Sequence, residues 1–590
     1  MGAKARGFGR FHRVVTTTLT AWLLLVGCKR DQAEKLGQDQ VKAAIHSSVT
    51  AVEKPRLSQL YHLSEGSEFV PYCALELFAR EQRKDVASYF QSYHLIPDAR
   101  SAANPLGLPV GVTVSEGPIK LIGFNCAACH VGQIPGAPSL IVGGPSNFDI
   151  RHFYDELIPW LSDLKKHPKL LRRVVGCMLL GSKGESSKQL AAGEVTQELA
   201  ASLEPSAGES NAVSDLYARL DEASAPASPD AGRALERAAA SAGPHSKTLQ
   251  ALPKRQQLDL LKALAADFVL QKKLLNARIK GLETVRAVGA LEPTTEPGPG
   301  RVDAFMTALN LMNPAAKLPM NSPVSFPHLW GVAHLTWRHW DNNTNASLQR
   351  NMGQAIGVGA VTVEVGKDLA TSIASTLNVP GLITFEESIP LIEPPSWPFT
   401  PSDASIVAAG QKLYQGNCAR CHEPATDGSL PDLLSDNPGT DRQRLANFAS
   451  GQAGTKPIDL LRTQLAAVER GSSASASQRD PNPIWRTTDQ YGVRSLRGVW
   501  ATAPYLHNNS VPTLADLLAQ PADRPKKFTL DYSRYDAERV GFPVVAPGVN
   551  GKKSFELDTA VTGNGNGGHE YGTGLNPGEK ASMLAYLKQL

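Results

Sequence analysis

The sequence predicts a mainly α-helical chain with long irregular loops, organised as two cofactor-bearing domains. Three observations carry that expectation. The pattern C-x-x-C-H occurs twice, as Cys126-Ala127-Ala128-Cys129-His130 and as Cys418-Ala419-Arg420-Cys421-His422. Glycine and proline crowd the chain around the first copy, from Pro105 and Gly107 to Gly144 and Pro145, a composition for loops wrapped around a group and not for a regular sheet. At the other end Met583, Leu584, Tyr586, Leu587 and Leu590 recur at helical spacing behind Asn576-Pro577-Gly578-Glu579, a helix start with its cap, its proline and its acid in place.

The pentapeptide is the attachment pattern of a c-type haem. Two thiols add across the porphyrin vinyl groups, and the adjacent histidine ligates iron from one face. A thioredoxin-like pair needs no following histidine, and neither copy reads as the turn between a strand and a helix. A zinc site needs four ligands together, and the two pairs lie far apart in the chain. Two covalently bound haem c groups (iron) are therefore expected, on Cys126, Cys129 and His130 and on Cys418, Cys421 and His422.

The start of the chain reads as an export signal. Lys4, Arg6, Arg10 and Arg13 precede an apolar stretch that ends Leu25-Val26-Gly27-Cys28. Residues 1–27 form a signal peptide of the lipoprotein type, with Cys28 as the lipidated residue and membrane anchor; an ordinary signal peptide is the alternative. The chain is expected to be exported to the periplasm or cell surface. Of the seven cysteines, Cys73 and Cys177 remain, as a disulfide pair or as two buried thiols. A net charge of +4, with no basic run among aromatics, does not suggest a nucleic-acid partner, and none is expected.

In chain order, residues 28–60 read as a tether and 61–390 as the N-terminal haem domain. Within it, 183–255 is a low-complexity insertion and roughly 256–285 an amphipathic helix. The proline-rich stretch 390–401 reads as a linker. Residues 402–590 resemble a class I cytochrome c, whose first and last helices cross with a glycine admitting an aromatic ring; Ser402 is the expected cap and Gly410 against Tyr586 the expected crossing. The fold class is thus two cytochrome c-like haem domains.

The occupant of each iron's sixth position sets its chemistry. No methionine lies between residues 423 and 582. For the second haem the candidates are His569, framed by Gly567, Gly568 and Gly572, and His507. We assign His569 as ligand and His507 as a propionate or second partner, with Arg494 and Arg497 as propionate partners or surface ion pairs. For the first haem, residues 328–340 hold three tryptophans and three histidines. They form a distal pocket, supply an axial histidine, or make a plain aromatic core; Trp330, His334 and Trp337 are the catalytic candidates beside His130.

These residues resemble the bacterial dihaem cytochrome c peroxidase superfamily. The stretch from Ser495 to Leu514 (SLRGVWATAPYLHNNSVPTL) is very similar to its C-terminal signature. Within the superfamily the chain most resembles the dihaem rubber oxygenases, through Pro299–Phe305, Pro323–Pro327, Trp340–Asn345, Arg350-Asn351 and Gly567–Gly572. The resemblance implies an active haem on His130 with an exchangeable distal site, and an electron-transferring haem between His422 and His569. It implies dioxygen or hydrogen peroxide as reactant, with an organic substrate or a small redox protein as partner. The lipobox and the polarity of residues 328–339 depart from a pocket for an insoluble hydrocarbon, so oxygenase and peroxidase versions both stand. A different class of reading is a plain electron-transfer cytochrome, with His334 or His62 closing the first iron.

Overall fold

In the computed structural model, the described residues are 57–115, 120–163, 293–312, 318–364, 373–423, 438–450, 456–472, 474–475, 478–546 and 554–590. The signal peptide, the 183–255 insertion and the 256–285 helix lie outside them. The secondary structure is mostly helical, and its strands are two to four residues long. Among the described residues no helix is long and apolar enough to cross a membrane.

The N-terminal part begins with an antiparallel sheet in which β1 (Val70–Pro71) and β2 (Val112–Val114) flank β3 (Leu121–Phe124). Helix α1 (Tyr72–Glu81) buries Cys73, Ala74, Leu75, Phe78 and Ala79, one face at helical spacing. Cys73 is disulfide-bonded. The Asp85 carboxylate caps α2 (Val86–Gln91) by accepting the Ser88 N–H at 2.7 Å. The first pentapeptide is itself helix α3 (Cys126–His130), and it follows β3 across the single residue Asn125. This corrects the expectation that neither copy follows a strand: Leu121–Phe124 is buried at every position and pairs on both edges.

Asn125 explains why the chain turns there. Its side-chain oxygen caps α3 at Ala127 N–H, 2.9 Å away, while its amide donates to the carbonyls of Leu60, Tyr61 and Leu63. An aromatic core stands behind the motif, with Phe90 stacked on Phe153 at 5.4 Å and Phe124 edge-on to Phe153 at 5.2 Å. Phe326 joins this core from far along the sequence.

A second core gathers α4 (Ala304–Met312), α5 (Ser347–Gly357), α6 (Val379–Ser388) and α7 (Pro457–Gly471) around Phe305, Met352, Leu382, Leu461 and Trp485. Within it Arg444 donates to Asp303 at 2.6 Å and lies 3.7 Å from Asp341, all three side chains being almost fully buried.

The C-terminal part is built on α8 (Ala404–Asn417) and α9 (Pro577–Leu587). They cross where a Cβ on Gly410 would lie 1.9 Å from the Ser582 carbonyl oxygen and 2.9 Å from the Tyr586 Cβ. The expected crossing is there, and only a residue without a side chain permits it. The Asn576–Glu579 capping box is present with both of its hydrogen bonds. The cap of α8 is Asp403 and not Ser402, because the carboxylate reaches Ser405 N–H at 2.8 Å. The third core interleaves the two halves: Ile134, Ile141 and Trp330 pack with Tyr414, Trp500 and Met583. The proline-rich stretch is packed too, with Trp397 edge-on to Trp500 at 5.4 Å and Trp500 Nε1–H donating to Pro395 O. Residues Leu60–Leu590 cluster as one unit.

Candidate functional site

The second pentapeptide opens directly from α8 as the short turn Ala419–His422, and a backbone carbonyl aims its histidine. His422 Nδ1 lies 2.6 Å from Arg494 O. A carbonyl only accepts, so Nδ1 carries the proton and Nε2 keeps its lone pair, the tautomer that ligates iron. Burial holds the imidazole below its ordinary titration range, so it is neutral at pH 7.

Opposite stands His569. The two ring centroids are 6.4 Å apart and the planes are inclined by 52°. An iron held between two imidazoles places their centroids about 6.2 Å apart, from two metal–nitrogen bonds of about 2.0 Å and two ring radii of about 1.1 Å. The observed separation fits that arrangement. Burial, and then the neighbouring His422, push the His569 pKa down to about 4, so this ring is neutral as well. The two rings border a cavity of about 220 Å³ whose walls include Cys418, Cys421, Tyr491, Arg494 and Met583. These residues would hold a covalently attached haem between two histidines.

The first pentapeptide is aimed in the same way. His130 Nδ1 lies 2.9 Å from Pro327 O, and burial lowers its pKa to about 4. The Cys126 N–H donates to the buried Glu65 carboxylate at 2.8 Å, and burial pushes that carboxyl up to about 7. The ring beside His130 is a phenyl, Phe326, with centroids 6.4 Å apart and planes at 59°. His62 is spoken for: its Nδ1 meets Val112 O at 2.8 Å and its Nε2 meets Asp98 at 2.9 Å. Among the described residues no group of three or more His, Cys, Asp or Glu is placed to hold a metal ion by itself.

The aromatic run separates its members. Trp330 is buried, stacks on buried His328 at 4.8 Å, and donates from Nε1 to Arg497 O at 2.7 Å. His334 ends a 3-10 turn and is exposed. Trp337 is half-buried beneath the Arg486 guanidinium, 3.4 Å from the ring centre. The three catalytic candidates therefore do not share one wall. The reason is local: Gly331 adopts left-handed backbone right after Trp330 and a 3-10 turn follows it, so no single period assigns the side chains to faces.

The two arginines part company as well. Arg497 is 62 % exposed and 3.7 Å from Glu393, an ion pair at the surface. Arg494 is buried; its Nη2 donates to His339 O at 2.5 Å, while Nε and Nη1 have no partner among the described residues. Buried guanidinium donors left without acceptors suit a carboxylate of the bound group. His507 is buried and stacks on Tyr491 at 3.9 Å, on the wall of the same cavity.

The sequence offers Trp337 or Trp340 as a bridge between the two sites, and the structure supplies contacts on both sides of Trp340. His422 bonds to the Arg494 carbonyl, and the Arg494 guanidinium lies 5.7 Å over the Trp340 ring. Trp340 Nε1–H donates to Ser325 O at 2.9 Å, and two residues on, Pro327 O accepts from His130. Backbone carbonyls carry no side-chain signature, so only the aromatic density of residues 328–340 hinted at this path.

Comparison with known proteins agrees with the C-terminal geometry. Residues 407–478 match the cytochrome c family, and residues 490–529 match the family described as RoxA-like, cytochrome c-like. Two relatives come from Sinorhizobium fredii. Uncharacterized protein y4iJ is 29% identical over 368 residues, covering 51% of this chain and 61% of that one. Uncharacterized protein y4iM is 30% identical over 262 residues, covering 41% and 54%. The chain thus spans between half and two thirds of each relative. The C-terminal part is cytochrome c-like, of a kind that binds haem c covalently for redox chemistry and electron transfer.

Proposed function

We propose that the chain is a dihaem c-type oxidoreductase, in which haem on His130 supplies dioxygen or peroxide chemistry and haem between His422 and His569 supplies electron transfer. The observation that carries this reading is the asymmetry of the two sites. One pairs two neutral imidazoles at the spacing of a closed iron; the other sets a phenyl ring beside its histidine. Phe326 is an apolar ring and offers no lone pair. The Pro327 and Arg494 carbonyls hold both imidazoles in the ligating tautomer. Trp340 and Arg494 lie between the two, on an unbroken set of bonds and contacts. The resemblance to rubber oxygenases and the match to the RoxA-like domain favour an oxygenase over a peroxidase. Export and a lipid anchor on Cys28 complete the proposal, with the protein at the periplasmic or outer cell surface.

Absorption and electron paramagnetic resonance spectra of the as-isolated protein test it. The expected result is one low-spin haem inert to cyanide and one that binds cyanide. Two low-spin haems that both refuse cyanide would leave a plain electron-transfer cytochrome and sink the enzyme reading. Oxygen uptake with polyisoprene, set against peroxide turnover with a reduced cytochrome, then separates the two enzyme versions.

A further inference from the structure

We propose that Arg524 is the positioning residue for the sixth-ligand side of the C-terminal haem site, acting through the loop that carries His569. The proposal rests on the reading of His422 and His569 as the pair that flanks this haem. His569 sits in a backbone conformation that L-residues avoid, with φ +49°, directly after Gly568 at φ +69°. A Cβ on Gly568 would lie 2.3 Å from the Gly439 carbonyl carbon, so the loop is pressed against residues 438–439 on one side. There the His569 N–H donates to Pro438 O at 2.6 Å.

On the other side the Arg524 guanidinium collects the loop's carbonyls. Nη1 donates to Asn566 O and to Gly568 O, each at 2.7 Å, and Nη2 donates to His569 O and to Leu517 O, each at 3.1 Å. Leu517 lines the same cavity as His569. One side chain, 1 % exposed, thus ties the ligand's own carbonyl, two neighbours and a cavity wall into a single rigid unit. Only a planar fork with several donors reaches four carbonyls at once; an ammonium does not. Among the described residues Arg524 makes no ion pair; backbone carbonyls meet its charge directly, with the Glu570 and Asp516 carboxylates acting on it from farther off. A cation beside this loop disfavours the more positive ferric state.

The test uses the full-length holoprotein with Arg524→Gln, Arg524→Lys and His569→Gly in parallel. Arg524→Gln is expected to move part of the C-terminal haem from low to high spin, to be restored to low spin by free imidazole, and to lower that haem's midpoint potential. Arg524→Lys keeps the charge and loses the fork, so it is expected to lose low-spin fraction while holding more of the potential. A folded Arg524→Gln protein with unchanged spin state and potential overturns the proposal. Failure of both Arg524 variants to assemble overturns it too, by making Arg524 a folding residue. If His569→Gly leaves the spectrum unchanged, the ligand reading itself fails; if His569→Gly turns high-spin and Arg524→Gln does not, only the Arg524 role fails.

Discussion

The imidazoles of His422 and His569 face one another with centroids 6.4 Å apart and planes inclined by 52°, although the two residues belong to opposite ends of the C-terminal part. Replacing one nitrogen donor by a thioether changes the iron's preference between its two oxidation states. His569→Met is therefore expected to raise the midpoint potential of the C-terminal haem while the N-terminal one stays where it is. Redox titration followed by absorption measures both. An unchanged potential in a protein of native spectrum would remove His569 from the iron.

Gly410→Ala probes the helix crossing. The added Cβ meets the Ser582 carbonyl oxygen at 1.9 Å, and backbone cannot step aside as a side chain can. Overpacking of this kind costs about 2–3 kcal/mol. Urea unfolding followed through the haem absorption should show a lower midpoint. A variant as stable as the native protein would mean that the helices part freely.

Arg444→Met leaves the Asp303 and Asp341 carboxyls buried without their cation. Loss of one partner of a buried pair costs about 3–5 kcal/mol. Burial already raises both carboxyl pKa values, and Arg444 opposes that rise. Without it the folded state holds those protons more tightly than the unfolded state, so the loss grows as pH rises from the acid side to neutrality. Paired denaturation curves at acidic and neutral pH check the sign; a penalty independent of pH would contradict it.

His152 fastens the helix Ile150–Asp163 to the segment before Arg301. Its Nδ1 and Nε2 each lie 2.6 Å from a carboxylate, of Asp149 and Glu296 respectively. Asp149 first and Glu296 second raise its pKa from 6.5 to about 10. A raised pKa means that the stabilisation is complete below the unfolded value near 6.5 and is lost as pH climbs through 10. With about a third of the side chain exposed, the effect is about 1 kcal/mol. His152→Gln should flatten the difference in thermal stability between pH 7 and pH 10; equal slopes for both proteins would dismiss the latch.

Several features were legible before any fold was known. The Asn576–Glu579 capping box and the glycine framing of His569 follow from short-range rules about caps and backbone freedom, and the Gly410–Tyr586 crossing from the resemblance to a class I cytochrome c. Ser402 missed the true cap by one residue because Asp403 has the stronger acceptor beside it. The run 328–340 was visible as a concentration of aromatics and histidines, yet its faces were not. A left-handed residue at 331, followed by a 3-10 turn over 332–334, resets the direction of the chain inside the run. His334 therefore ends at the surface, and His328 stacks on Trp330 inside.

The sequence by itself determined which thiols and histidines are the expected attachment residues, because the c-type haem pattern is written in five consecutive residues. It also narrowed the second ligand to two histidines, because so few nitrogen or sulfur donors lie in that part of the chain. Only the tertiary structure decided what each histidine meets: Pro327 O for His130, Arg494 O and the His569 ring for His422. It also decided that Arg494 turns inward while Arg497 turns out. Such partners lie far apart in the chain and are often carbonyl oxygens, which every residue carries; packing alone selects among them.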